Sequence, residues 1–489
     1  MSGTSDGTAP PVLVVDVGTT SSAAAVVTGD TTVLVPEPMT GAATWPSAVF
    51  WDGQQMLVGT LAERRKRSDP EAFAAGFKRG LADDTSVLLG PRRFRPVEQV
   101  VAVLSTLRAE AERLHGAPIH RAVLTVPASY GGLGAGGDWT EERGDEERSR
   151  LSGPGTRACG DLSQSASQHS DVRRTRMVAA AEAAGFQTIE LLPEPVAAAF
   201  APIAGAPFRP GDLVLVYDLG GGTFDTALVR IGVRWHEVLG HAALDDCGGH
   251  DIDALLARRI STDGQQWLAP LTSAAGSSTP ATLRLDMAVT DFAQRVKHQL
   301  SDAAVVEDFL MPNTPAYRMS QEDLSTLAAP LLSRTATCCT DLLARLGVPV
   351  HDVTAALLVG GGSRMPAVAD LLQRGLGLPL RRVVDPELAT VRGAARWVPV
   401  SGQRRVSART SPEPTVPLSW NIPAGGGRLL RWLVSPGQAY LAGVPLARVR
   451  LSSGAVWDLT ASSPGTLDRL LVPPDTDVTA GDWLALARP

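Results

Sequence analysis

Two stretches of the chain, residues 12–20 and 214–223, carry the same order of residue types: an apolar run, an aspartate, and a turn of glycine and threonine. The apolar runs are long enough to be buried strands, and glycine allows the close backbone approach that a phosphate group requires. If two such turns faced each other across a cleft, their backbone N–H groups would converge on a polyphosphate, and Asp16 and Asp218 would hold a hydrated Mg²⁺ between them. The repeated pattern therefore predicts a site for ATP.

An ordinary hairpin turn is the alternative interpretation, since an aspartate–glycine pair between apolar runs most often has that meaning. Here the pattern occurs twice, and each copy is followed by a second β-type run, at residues 23–27 and 225–231. Two copies with the same order of elements favour paired phosphate-binding turns over two unrelated hairpins.

Lysine is scarce in this chain: of 45 basic residues only Lys66, Lys78 and Lys297 are lysines. The lysine ammonium is a compact charge on a flexible stem and differs chemically from the planar arginine guanidinium. Each lysine is therefore a candidate for a specific role.

The composition is that of a globular protein, with 44% hydrophobic residues and a net charge of −6, and a length of 489 residues indicates several domains. The lack of a long basic stripe argues against nucleic acid as a partner, and no apolar run has membrane-spanning length. Residues 1–11 lack a secretory pattern and are predicted to be disordered, which favours a cytoplasmic location. Four cysteines without metal-ligand spacing fit a reducing compartment.

Strands alternate with helices between the two repeats, which indicates an α/β fold. We predict a helix over residues 96–115, a strand over 121–126, a helix over 173–184 and a strand over 188–192. Residues 131–170 are rich in Gly, Ser and charged residues, and such a segment buries too little surface to offset its ordering entropy. We therefore predict a disordered insertion there.

Similar alternation continues after the second repeat. The predicted elements are strands at 235–241 and 355–359 and helices at 251–260, 283–300 and 321–346. The last of these strands runs into a third glycine-rich turn, residues 360–364, which opens another helix. Residues 399–427 have the Pro, Ser, Arg and Gly content of a linker. Residues 428–489 show short apolar runs between Gly and Pro turns, which predicts a small all-β domain.

Together these motifs resemble the nucleotide-binding domain of the heat shock protein 70 family, a branch of the actin-like ATPase superfamily. The resemblance covers residues 12–398. The matching motifs are residues 16–20, 44–47, 77–79, 125–128, 193–199, 218–225, 248–251 and 359–364. The resemblance implies an α/β fold of duplicated ribonuclease-H-like lobes with ATP in the cleft between them, followed here by the small all-β domain.

Specific roles follow from the resemblance at the matching positions. One side of the phosphates would be held by Gly18, Thr19, Thr20 and Ser21, and the other side by Gly220, Gly221, Gly222 and Thr223. Lys78 would lie near the γ-phosphate, Glu194 would orient the attacking water or the metal shell, and Asp16 and Asp218 would bind Mg²⁺ through water. With Thr223, these residues form the expected catalytic set.

The nucleotide would contact a second group of residues, of which Lys297, Ser301 and Arg364 would meet the ribose and the adenine. The whole group consists of Gly248, Gly249, Gln294, Lys297, His298, Ser301, Gly361, Gly362, Ser363 and Arg364. All these residue types suit phosphoryl transfer, which depends mostly on positioning and on electrostatic stabilisation of the transition state. The expected activity is Mg²⁺-dependent hydrolysis of ATP to ADP and phosphate.

Each of these candidates also has a plain structural interpretation. Lys78 could be a surface charge, Glu194 could complement a helix dipole, and Lys297 could lie on the solvent face of its helix. Arg364 could cap and pack, and Asp225 could be an ordinary residue at a strand end. The surrounding motifs favour roles in the cleft.

Some positions depart from the family pattern. His250 stands where the family has an acid, Gln294 replaces an acid on the adenine side, and His298 replaces an arginine that stacks on adenine. Gly362 stands where the family has a serine. These changes bear on nucleotide affinity and base selectivity more than on phosphate chemistry.

The tail departs further, because the family has a peptide-binding β-sandwich and a helical lid after residue 398. Residues 428–489 instead resemble a biotinyl/lipoyl-type barrel, yet no lysine follows Lys297, which excludes covalent attachment of biotin or lipoate. We therefore expect an ATP-hydrolysing, chaperone-like protein without a standard peptide-binding domain, whose barrel meets an unfolded polypeptide or another protein. Two alternatives stay open: a small-molecule (sugar) kinase of the same superfamily, and a nucleotide-sensing scaffold with a vestigial ATPase.

Overall fold

The repeated segments each form the central strands of a mixed sheet in the computed structural model, which describes residues 10–128, 162–233, 236–269, 279–401 and 416–488. The first lobe begins with the first repeat. Its strands are β1 Val12–Val17, β2 Ser21–Thr28, β3 Thr31–Leu34, β4 Thr44–Pro46, β5 Ala48–Trp51, β6 Met56–Val58, β7 Phe73–Ala75, β8 Val87–Leu89, β9 Arg92–Phe94, β10 Arg121–Val126 and β11 Thr188–Pro193. Its helices are α1 Thr60–Arg65, α2 Pro96–His115, α3 Leu162–Ala183 and α4 Glu194–Ala199.

The second lobe begins with the second repeat. Its strands are β12 Leu213–Leu219, β13 Phe224–Arg230, β14 Glu237–Leu244, β15 Val305–Asp308, β16 Tyr317–Ser320, β17 Ala355–Val359 and β18 Leu380–Arg382. Its helices are α5 Gly249–Asp263, α6 Thr279–Asp302, α7 Gln321–Arg345 and α8 Pro366–Asp370. A further helix, α9 Ala389–Ser401, returns to pack on the first lobe, where Val391 and Ala395 are buried against β1 and β2.

Both main sheets have the same topology. The first has the order β11-β10-β1-β2-β3, with β4 also paired to β2, and the second has the order β14-β13-β12-β17-β18. In each sheet the first three strands in the chain form an antiparallel meander, and the two later strands add in parallel beside the first. As a result Asp16 and Asp218 occupy the same place, the penultimate residue of the first strand.

Helix α2 shows how the sequence builds these layers. Its buried residues Val100, Val103, Leu104 and Leu107 recur at helical spacing, and together with α3 they cover one face of the first sheet. Gly116 ends the helix in the left-handed conformation, as is typical of a helix C-terminus. Among the helices in the described ranges, none is long and apolar enough to cross a membrane.

The C-terminal β-unit, residues 416–488, is made of two four-stranded antiparallel sheets. Its strands are β19 Val416–Ser419, β20 Gly426–Trp432, β21 Ala439–Tyr440, β22 Pro445–Leu451, β23 Val456–Thr460, β24 Gly465–Leu470, β25 Asp477–Thr479 and β26 Trp483–Arg488. The sheet orders are β19-β26-β24-β21 and β23-β22-β20-β25. Buried side chains such as Leu429, Val449, Leu467 and Leu484 form its core.

Many predicted element bounds are confirmed, including the helix over 96–115 and the strands over 121–126 and 355–359. The prediction of disorder over 131–170 is wrong at its end, because the backbone of 162–170 already belongs to α3. That stretch contains no Gly or Pro, so a helix can continue through it. The rest of the predicted insertion, and residues 1–9 of the predicted disordered N-terminus, lie outside the described residues.

The predicted linker over 399–427 is too long at both ends. Helix α9 continues to Ser401, and β19 already belongs to the C-terminal β-unit because Pro417 pairs with Leu486 of β26. Proline is tolerated in β19 because this strand lies at the edge of its sheet. Residues 402–415, the remainder of the predicted linker, lie outside the described residues.

We expect Gly393→Ala to destabilise the protein, because α9 and α4 approach each other so closely that a Cβ at Gly393 would overlap the Ala197 carbonyl. Overpacking against backbone commonly costs about 1–3 kcal/mol, which urea unfolding would measure. Gly375→Ala is the matched control, since a Cβ there would lie 3.7 Å from Leu371 Cδ1, in ordinary contact. Equal stability of the two variants would contradict the close packing of these helices.

Candidate functional site

The two glycine–threonine turns face each other and touch. A Cβ added to Gly221 would overlap the side chain of Thr20, and a Cβ added to Gly222 would overlap Thr19. Only glycine therefore fits at Gly221 and Gly222 of the second turn. Because glycine has no side chain, the backbone of this turn stays accessible to a group that lies between the lobes. This contact confirms the prediction that the turns of the two repeats lie opposite each other.

A central cleft lies between these turns and collects residues from both lobes. Its lining residues are Asp16, Gly18, Thr19, Thr20, Ser21, Lys78, Glu194, Asp218, Gly220, Gly221, Gly222, Thr223, Asp225, Gly360, Gly361, Pro386, Glu387 and Thr390. All the residues that the sequence assigned to the phosphates and the metal are in this group. Residues that are far apart in the chain, such as Asp16 and Thr390, thus form one polar site.

The cleft contains one buried ion pair. Lys78 precedes a short 3-10 turn, Arg79–Leu81, and Glu194 is the first residue of α4, directly after β11. The Lys78 Nζ lies 2.8 Å from the Glu194 Oε1, and the two residues are only 7% and 8% exposed. Lys78 is therefore not a plain surface charge, and the pair fixes its ammonium in the cleft.

Three aspartates surround this pair. The Asp16 Oδ1 accepts a hydrogen bond of 2.9 Å from the Thr125 hydroxyl, and Asp218 lies directly opposite Asp225 in the β12–β13 pairing. Burial, and then the Glu194 carboxylate, raises the pKa of Asp16 to about 6 and that of Asp225 to about 7. The same two causes raise the pKa of Asp218, with further contributions from the other two aspartates.

These shifts describe a cleft with excess negative charge. Lys78 supplies the one ammonium group among the cleft-lining residues. It lies among the carboxylates of Asp16, Glu194, Asp218 and Asp225. Such an environment suits a hydrated divalent cation, which would relieve the mutual repulsion. Within the described ranges, no three His, Cys, Asp or Glu side chains are grouped closely enough to ligate a metal directly. Binding through water fits this arrangement.

The candidate residues for the nucleoside lie along α6 and α5, and none of them on these helices lines the central cleft. Lys297 is buried, its Nζ lying 2.8 Å from Asp253 Oδ1 and 3.0 Å from the Gly249 carbonyl oxygen. It therefore does not lie on a solvent face. The Ser301 hydroxyl donates to the Lys297 carbonyl at 3.4 Å, and Gln294 is half-buried one turn before Lys297.

His298 and the third glycine turn complete this side. His298 is exposed at the surface, but part of its ring is removed from water, and this partial desolvation, followed by the charges of Lys297 and Arg364, lowers its pKa. The Arg364 guanidinium binds both carboxylate oxygens of Glu387, at 2.8 and 3.0 Å. Ser363 is buried, and its hydroxyl donates to the Gly360 carbonyl at 2.7 Å. Of the four residues of this turn that were predicted to bind the nucleotide, Gly361 lines the central cleft, whereas Gly362 packs on Leu219.

His250 connects the two lobes at the glycine–threonine turns. Its Nε2 lies 3.0 Å from the Thr20 hydroxyl of the first turn, and its backbone N–H donates to the Gly221 carbonyl of the second turn at 2.7 Å. Gly248 and Gly249, which open α5, pack against the same turn. Burial, and then Lys297 and Arg79, lowers the pKa of His250, which favours a neutral ring.

Some lining residues were not predicted as site residues. For Asp225 the sequence leaves open whether it lies in the cleft or is an ordinary residue at a strand end. Gly360 is predicted only as part of the third glycine-rich turn. Pro386, Glu387 and Thr390 were missed from the sequence alone, because neither the 3-10 turn Pro386–Leu388 nor the first turn of α9 has a local pattern that indicates a cleft. A Cβ at Gly360 would overlap the Asp218 carboxylate, which explains a glycine there and was a signal available only in three dimensions.

Known proteins are similar to the part of the chain that forms the two lobes. A family model described as Hsp70 protein matches residues 12–89 and 167–431, well over half of the chain. The chaperone protein DnaK of Mycoplasmopsis synoviae (strain 53) is 27% identical over 393 residues, and that of Mesomycoplasma hyopneumoniae (strain 232) is 26% identical over 394 residues. Each alignment covers 78% of this chain and 57% of the relative, so the chain spans somewhat more than half the length of these relatives.

The raised aspartate pKa values predict a pH dependence of stability. The pKa of Asp16 and of Asp225 is near 4 in the unfolded chain, and it is about 6 for Asp16 and about 7 for Asp225 in the folded protein. Between these pH values the unfolded state therefore binds fewer protons than the folded state. The free energy of unfolding contributed by these groups should therefore fall as the pH rises from about 4 to about 8. Urea unfolding across this range in the absence of divalent cations would measure it.

The same repulsion predicts that Asp225→Asn is stabilising. It removes one negative charge and keeps an oxygen for the Thr223 hydroxyl, so we expect the free energy of unfolding near pH 8 to rise by about 1–2 kcal/mol. Exposed Asp341 supplies the control, since Asp341→Asn should leave stability near its wild-type value. A loss of stability in Asp225→Asn would contradict the charge excess.

Proposed function

The chain belongs to the heat shock protein 70 family, and from that premise we propose that it is an ATPase that binds Mg-ATP in the central cleft. One observation carries this proposal: two glycine turns from different lobes enclose a buried lysine–glutamate pair and three aspartates. The backbone of the turns suits a polyphosphate, and the aspartates suit its hydrated cation. A bound Mg²⁺ would supply positive charge to the phosphate oxygens.

The residues of this chain would act mainly by position. Lys78 would place its ammonium where negative charge develops on a transferred phosphoryl group, and Glu194 holds that ammonium at 2.8 Å. Glu194 would also orient the attacking water. Asp16 and Asp218 would hold the hydrated metal from opposite sheets, and Thr223, whose hydroxyl donates to Asp225 at 2.9 Å, would border the phosphates.

We place the nucleoside along the outer side of α6. Exposed His298 and Arg364 and half-buried Gln294 and Ser301 offer polar groups for a base and a ribose. Lys297, held by Asp253, would support this wall rather than reach out to the ligand. Its side chain also lies against Gly249, at the start of the helix that holds the second phosphate turn.

The C-terminal β-unit would be the module that contacts a polypeptide partner, which makes the protein chaperone-like. Support comes from the names of the relatives, which are chaperone proteins, and from the position of the β-unit against the first lobe. An unfolded polypeptide and a folded protein partner are both compatible with this role. A cytoplasmic location stays a prediction.

Lys78→Ala should abolish most of the ATPase activity while leaving nucleotide binding largely intact. Removing one electrostatic contact to the transition state commonly lowers the rate by about a hundred- to a thousandfold. Single-turnover hydrolysis with the full chain would measure the rate, and isothermal titration with ATP and ADP would measure binding. Arg113→Ala, which removes an exposed cation on α2, should match the wild type.

Three results would replace this proposal. No binding of Mg-ATP by the wild type would end it, and binding of Mg-ATP without turnover would leave a nucleotide-sensing scaffold. A rise in ADP production on adding a sugar would instead favour a small-molecule kinase.

A further inference from the structure

Arg95 joins the C-terminal β-unit to the first lobe. Its Nη1 donates to the Trp483 carbonyl at 2.9 Å, and its Nε lies 3.9 Å from Asp482 Oδ1. The Trp483 side chain packs on the core of the first lobe. A second polar contact, Arg469 with Glu182 at 3.1 Å, lies elsewhere on the same interface. The β-unit is thus docked through apolar and charged contacts.

The same guanidinium also holds Asp84. Arg95 Nη2 forms an ion pair with the Asp84 carboxylate, and each of the two side chains is only 7% exposed. Arg176 lies 3.5 Å from the same carboxylate and donates to the Ala82 carbonyl at 2.7 Å. Asp84 has φ 56°, a left-handed conformation that is uncommon outside glycine. The two arginines therefore hold a strained residue in place.

Asp84 ends the loop that carries Lys78. The Asp84 N–H donates to the Gly80 carbonyl at 2.8 Å, and the Leu81 N–H donates to the Lys78 carbonyl at 3.3 Å. A Cβ at Gly80 would lie 2.8 Å from Pro96, the residue after Arg95, so the loop packs directly on the start of α2. The position of the Lys78 backbone is therefore determined in part by Asp84.

We propose that Arg95 couples docking of the C-terminal β-unit to the position of the Lys78 loop, so that the β-unit regulates the central cleft. A buried guanidinium requires compensation by its partners, so losing the contacts at Asp482 and Trp483 admits water and loosens the hold on Asp84. Asp84 can then leave its left-handed conformation, and the loop can shift. By linkage, a ligand that moves Lys78 changes the docking of the β-unit to the same extent. This last step rests on the proposed function, whereas the coupling itself does not.

Hydrogen exchange of the full chain without nucleotide tests the coupling. Asp482→Lys turns an attraction for Arg95 into a repulsion, and Arg469→Glu does the same to Glu182 at the other contact. We expect amides of residues 79–84 to exchange on the order of tenfold faster in Asp482→Lys. In Arg469→Glu, only the surroundings of Arg469 and Glu182 should change. Retained protection of residues 485–488 would show that the β-unit stays folded in both variants.

Two outcomes would overturn the proposal. One is unchanged exchange at 79–84 in Asp482→Lys although residues 482–484 lose protection, and the other is the same acceleration at 79–84 in both variants. Mg-ATP supplies a separate readout: it should alter exchange at 482–484 in the wild type but not in Arg95→Gln. If the wild type does not bind ATP, the proposed function fails, while the nucleotide-free comparison still decides the coupling.

Discussion

Excess negative charge in the central cleft is the constraint on which the rest of the structure depends. Four carboxylates from both lobes surround Lys78, and burial with mutual repulsion raises the pKa of all three aspartates. A fold maximised for stability would not collect these groups. In the proposed function, a hydrated cation that enters with the polyphosphate would offset this repulsion.

Duplicated topology is what brings the carboxylates together. Asp16 and Asp218 are the penultimate residues of equivalent strands in two sheets with the same strand order, and the turns that follow these strands meet at Thr20 and Gly221. Each main sheet has an apolar core on both of its faces, and one core of the second sheet also contains Ala198 and Ala199 of α4. The two halves of the site are therefore carried by two separate sheets, and α4 contacts both of them.

Polar contacts join the lobes around the cleft in the described parts of the chain. They include His250 with Thr20 at 3.0 Å, Arg79 with Asp251 at 3.0 Å and Lys66 with Asp291 at 2.7 Å. Partly exposed ion pairs contribute little free energy and break at low cost. Under the proposed function, breaking these contacts would allow the lobes to rotate relative to each other when the nucleotide enters or leaves, which is a common form of domain closure. The docked C-terminal β-unit touches the first lobe at the loop that would respond, through Arg95 and Asp84.

The sequence alone determined the local features of this protein: the bounds of α2, the strands that contain Asp16 and Asp218, and the residues of the two glycine–threonine turns. Periodicity and turn chemistry predict these features because they depend on residues that are neighbours in the chain. Only the tertiary structure decided that Lys78 pairs with Glu194, that Lys297 is buried against Asp253, and that Glu387 borders the cleft. Such contacts join residues far apart in the chain, and packing of whole lobes sets them, so no local pattern carries their information.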